Sequence, residues 1–189
     1  MQGLLNRSFH LFLRDTYGPE LWTGLAEDLS LDPDGFDLAT GECRGAFLRL
    51  AEAAGRRLEI PLPLLLEEFG LYLHSLPRVR RLVRLCARDF GAFVAFLPDL
   101  PERLRMALPG LDIPALEVAD AGAEGFRVTV AGGPMQAAVI AGFLRAVSDD
   151  FGVLSLVTAG DDGAVHVLPL GHGYGMPPAP SVPLRPGAA

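Results

Sequence analysis

The chain has 189 residues and a mass of 20.2 kDa; half of it is apolar and 21% is charged. That composition excludes a wholly disordered chain, and the length suits one domain with a real core. The formal net charge of −7 excludes a general binder of nucleic-acid backbones, which needs a basic footprint.

All sixteen basic residues are arginine, which we read as coding bias. Cys43 and Cys86 are the only cysteines, too few for a disulfide framework or a four-thiolate zinc site. They are expected to be reduced thiols of a cytoplasmic protein. Arg7 and Arg14 interrupt the apolar run of the first fifteen residues, so this is not read as a signal peptide. No stretch approaches the ~18 uncharged apolar residues of a membrane span.

In chain order, Leu4, Leu5, Ser8, Phe9, Phe12 and Leu13 fall on one helical stripe. Tyr17-Gly18-Pro19 breaks that helix, and Pro19 opens a second one through Trp22 to about Asp28. Asp32-Pro33-Asp34-Gly35 is a turn. A third helix is predicted from Glu42 to Arg57. A fourth starts at Pro61 and Pro63, runs to Leu76 and stops at Pro77. A fifth is predicted over 78–88, with arginines on one side and Val79, Leu82, Val83, Leu85 and Cys86 on the other. Asp89 to Phe96 and a helix after Pro98 follow, ending at Pro109-Gly110.

The period then changes to two. Leu116 to Val118 and Phe126 to Val130 read as strands. Gly132-Gly133-Pro134 is a turn, and Met135 to Asp149 is helical. Val153 to Thr158 and Ala164 to Leu168 are strands joined by Asp161-Asp162-Gly163, a hairpin signal. An α+β fold results: helices first, then a four-stranded antiparallel sheet with one inserted helix. Residues 1–170 are expected to form one domain, with 1–60 a helical part and 61–170 helices plus sheet. Residues 171–189 hold five Pro and four Gly and read as a disordered tail.

The opening Met1-Gln2-Gly3-Leu4-Leu5-Asn6, followed by Arg14-Asp15-Thr16-Tyr17-Gly18-Pro19-Glu20-Leu21-Trp22, resembles that of heme–nitric oxide/oxygen-binding (H-NOX) domains. These are heme sensors of soluble guanylate cyclase and of stand-alone bacterial gas sensors. A second match runs from Phe93 to Pro114, with Leu97, Leu100, Leu104, Pro109-Gly110 and Pro114 in register. The resemblance covers 1–170 and implies an H-NOX-like fold.

In that family an axial His binds the heme iron, and a Tyr-x-Ser-x-Arg motif holds the propionates. Family spacing puts the His eight residues before Pro-Gly and thirteen before the later Pro. Both counts reach Pro101, whose ring has no donor for iron. The Tyr-x-Ser-x-Arg register falls on Val128, Val130 and Gly132, and none of its three polar groups is present. The resemblance therefore implies the fold without heme in its usual mode, so no cofactor is expected. The pocket it implies is lined by Leu5, Phe9, Leu73, Leu97, Pro101, Leu104, Pro114, Ala137 and Ala141. Such a pocket is filled by side chains or by an apolar ligand such as a fatty acid.

Among the histidines, His10 follows Phe9 by one residue and should point about 100° away from the pocket. His74, next to Leu73, is the fallback iron ligand. His166 lies in the last strand and His172 in the tail. No His, Cys or carboxylate set has metal-ligand spacing. Arg81, Arg84 and Arg88 share a predicted helix face, read as a solvated surface paired with local acids. The sharper alternative is a docking surface for an acidic partner or an anionic head group. No phosphate loop or nucleophile elbow is present, so no catalysis is expected. The sequence thus points to a stand-alone cytoplasmic sensor or binding domain that signals to a separate protein, such as a kinase or cyclase. The alternatives are an atypical heme-binding gas sensor and a ligand-free adaptor with a collapsed cavity.

Overall fold

A computed structural model describes residues 3–31, 46–107 and 113–172. Cys43, the 32–35 turn, Pro109-Gly110 and residues 173–189 lie outside the described residues, while Gly171 and His172, expected in the tail, continue the last strand and pair with Leu154 and Val153.

Eight α-helices and four strands are described. Helix α1 (Gly3–Tyr17) ends at Gly18, whose φ of 95° suits a residue without a Cβ. Pro19 then occupies the first turn of α2 (Pro19–Leu29). Helix α3 is Ala46–Leu58 and α4 is Leu62–Ser75. Pro77 does more than stop α4. It forces Leu76 into an extended conformation and supplies the first residue of α5 (Pro77–Cys86). The predicted 78–88 helix is therefore shifted, and Arg88 lies beyond its end because Ala87 is extended. The Asp89 carboxylate accepts from the Ala92 amide at 2.8 Å and caps α6 (Phe90–Phe96). A 3-10 turn at Leu97–Asp99 holds Pro98, and α7 runs Leu100–Ala107.

The back half follows the predicted alternation. Strands β1 (Leu116–Asp120) and β2 (Phe126–Val130) precede α8 (Pro134–Asp150), then β3 (Val153–Ala159) and β4 (Ala164–His172) follow. The sheet is antiparallel throughout, in the order β1-β2-β4-β3.

Two apolar clusters form the core. One joins α1 to α4 through Phe9, Phe12, Trp22, Leu50, Leu65 and Phe69, with Ala138 from α8. The other joins α5 to α7, α8 and the inner sheet face. Helix α8 divides them and lies directly on α4. A methyl group at Gly142 would sit 1.9 Å from the Glu67 carbonyl oxygen, and one at Gly70 would sit 2.1 Å from that of Val139. Only glycine permits this crossing. It fixes how closely the two halves approach around the region the sequence assigns to a pocket.

Candidate functional site

The second cluster is built around the 90–107 segment. Phe93 and Val94 of α6, Leu97 of the 3-10 turn and Leu100 and Leu104 of α7 are all buried. Pro101 is buried in the first turn of α7, where a missing N–H costs no helix bond. Alternation along β2 turns Val128 and Val130 inward, 0% and 4% exposed, and leaves Thr129 outside. Gly132 is exposed in the turn before α8. Pro114 is half-buried just before β1.

The nine pocket positions separate. Leu97, Leu104, Ala137 and Ala141 belong to the sheet-side cluster, whereas Phe9 belongs to the helical one, with Leu5 and Leu73 packed at its edge. Phe9 is held edge-on by Phe69 at 5.0 Å and Phe47 at 5.1 Å between ring centres. The resemblance supplied these positions, of which Leu5, Leu73 and Pro114 are half-buried and the other six buried. A list of inward positions does not show that α8 stands between the two groups.

The donor chemistry of the described residues decides whether heme fits. His10 stacks on Trp22 with ring centres 3.9 Å apart. His166 meets Arg127 Nη1 at 3.2 Å on the outer face of the sheet. His74 is buried, with its ring edge-on to Phe143 of the sheet-side cluster at 5.8 Å and its Nε2 3.7 Å from Asp150 Oδ2. The Tyr17 hydroxyl donates to Glu68, and the Tyr72 hydroxyl donates to Asp15 at 2.9 Å. Burial, the hydrogen bond and the Asp15 charge push the Tyr72 phenol up to about 12. Cys86 packs against the sheet-side cluster, and burial raises its thiol, which keeps it protonated. No described imidazole, thiolate or free phenol therefore points into the core beside Pro101. The side chains described do not fit an axially ligated heme.

The model of the haem-NO-binding family matches residues 2–129. The chain belongs to the haem-NO-binding family. No curated protein sequence matches it. Among solved structures, it is similar to an H-NOX protein from S. oneidensis in the Fe(II)NO state, with 15% identity and a TM-score of 0.73. That match covers 89% of this chain and 99% of that one. An oxygen-binding H-NOX domain related to soluble guanylate cyclases has 13% identity and a TM-score of 0.68, over 94% and 99% of the two chains. A mutant T. tengcongensis H-NOX has 14% identity and a TM-score of 0.70, over 91% and 99%. The H-NOX fold is thus shared at low identity, and no described helix is long and apolar enough to cross a membrane.

Two features of this H-NOX fold were not singled out from sequence. Asn6 on α1 is 0% exposed, and neither Oδ1 nor Nδ2 has a hydrogen-bond partner. Its sequence signals were its place in the opening motif and a polar residue beside an apolar helical stripe. Arg145 on α8 reaches Glu67 on α4 at 2.9 Å and the Val157 carbonyl on β3 at 2.9 Å, fastening three elements. The basic helix does pair with acids, though not in the predicted set. Arg80 and Arg84, rather than Arg81, converge on Asp150, and Arg88 turns to Asp89.

Proposed function

We propose that this chain is a cytoplasmic H-NOX signalling domain that works without a histidine-ligated heme and relays to a separate protein. Pro101 at the family's axial position carries this reading. Its support is local: Val128 and Val130 replace polar clamp residues, and both are packed into the core. Large side chains occupy the surrounding volume, with Phe93, Leu97 and Leu144 each no more than 1% exposed. A cavity of heme size would cost stability in proportion to its volume, and this packing avoids that cost. The domain takes no catalytic role in this reading; its output goes to a kinase or cyclase.

Asn6 favours a second reading. A wholly buried amide without partners costs about 1–3 kcal/mol, which the polar head of an apolar ligand such as a fatty acid would relieve.

Hemin titration followed by absorption tests the first reading. The expected result is a weak, unsaturated change with no band of histidine-ligated heme. A saturating one-to-one band that disappears in His74→Ala would overturn it and make this an atypical heme sensor.

A further inference from the structure

Where α4, α5 and α8 meet, side chains from all three helices gather around one carboxylate. Asp150, at the end of α8, accepts from Arg80 Nε at 2.9 Å through Oδ1 and from Arg84 Nε at 2.8 Å through Oδ2. Arg84 also donates to the Asp150 main-chain carbonyl and lies over the Phe151 ring at 4.8 Å. These contacts pin α5 to the end of α8. Helix α5 is also the link between the two halves of the core. It follows α4 of the helical cluster directly and carries Val83 into the sheet-side cluster.

His74 of α4 reaches the same carboxylate. Its Nε2 lies 3.7 Å from Oδ2, too far for a hydrogen bond, and has no other partner. The ring is 6% exposed and borders an open depression with Leu71, Ser75 and Ala146, so a proton has a short path from solvent. From α8, Asp149 and Asp150 face the imidazole, and Phe143 meets it edge-on; from α5, Arg80 and Arg84 face it. Burial opposes its charged form most. The two carboxylates favour that form, the two guanidinium groups oppose it, and the balance lies below the ordinary 6.5. The folded chain therefore keeps this imidazole neutral at neutral pH.

We propose that His74 is an acid-operated release for α5. Proton uptake makes both ring nitrogens donors, so Nε2–H donates to Asp150 Oδ2 and competes with Arg84 for that oxygen. His74, Arg80 and Arg84 then crowd one carboxylate with surplus positive charge, and the hold of α5 on α8 weakens. The folded imidazole resists the proton, so the opened chain takes it up first. The hold is full above about pH 6.5, the ordinary value, and declines as pH falls below it. The release is independent of whether the core holds heme.

Two NMR measurements on the full chain test this: the His74 imidazole shifts from pH 8 to pH 5, and the hydrogen-exchange protection of α5 amides at pH 7.5 and pH 5. His74 is expected to take up its proton within that range. Protection of α5, taken relative to the buried amides of α8, is expected to fall about fivefold, the worth of one ion pair. In His74→Gln, which cannot take up the proton, that relative protection is expected to be the same at both pH values. Arg84→Gln removes an opposing charge and is expected to raise the pH at which His74 titrates. It is also expected to lower α5 protection already at pH 7.5. A His74 ring still neutral at pH 5, α5 protection that falls equally in His74→Gln, or a titration unmoved by Arg84→Gln would each overturn the proposal.

Discussion

Guanidinium groups of Arg80 and Arg84 converge on the Asp150 carboxylate from α5. Nε of Arg80 lies 2.9 Å from Oδ1, and Nε of Arg84 lies 2.8 Å from Oδ2. Burial alone would raise this carboxyl; the two hydrogen bonds and charges outweigh it and hold it at about 2. Its folded pKa lies below the ordinary 3.8, so the unfolded chain takes up the proton first. The stabilisation is full above about pH 4 and is lost as pH falls toward 2. Because both arginines are half exposed, it should amount to only about 1–2 kcal/mol. Urea unfolding of the native chain and Asp150→Asn should show a gap of that size at pH 6 that shrinks by pH 2.5. A gap independent of pH would contradict the pairing. The sequence showed an arginine run and expected local acids. It could not select Asp150, because that contact depends on how α5 and α8 cross.

Between elements, the decisive contact is the glycine crossing of α4 and α8. Gly142→Ala places a methyl group against the Glu67 backbone, which cannot yield like the end of a side chain. It should cost about 3 kcal/mol in chemical denaturation. Gly91, exposed in α6 with ordinary helical backbone, meets only the Asp89 carboxylate at 3.6 Å. Gly91→Ala should be neutral or stabilising by up to about 1 kcal/mol. Equal effects of the two substitutions would refute a tight crossing. The elements themselves were legible where local chemistry is strong: Pro19 and Pro61 at helix starts, Asp161-Asp162-Gly163 at the hairpin, and alternation along β2. Pro77 misled only in part, because a residue that ends one helix also suits the first turn of the next. The crossing was not legible. Gly70 and Gly142 are isolated glycines 72 residues apart, and no local pattern pairs them.

At the scale of the molecule, the order of helices and strands carries the family resemblance, and the haem-NO-binding family and the H-NOX fold are found. The pocket was only half legible. Helical spacing shows which residues turn inward, and Phe9, Leu97, Leu104, Ala137 and Ala141 all do. It does not show which inward faces meet, and here they meet in two clusters on opposite sides of α8. The proposed loss of heme rests on a single imidazole replaced by Pro101 and on a clamp replaced by valines. Native mass spectrometry of the chain purified from heme-sufficient cells, set against its denatured mass, tests that loss most directly. The predicted result is no heme mass on the native ion; a bare chain supports the packed core, and a lipid mass supports the ligand suggested by Asn6. A stoichiometric heme mass would contradict a heme-free domain.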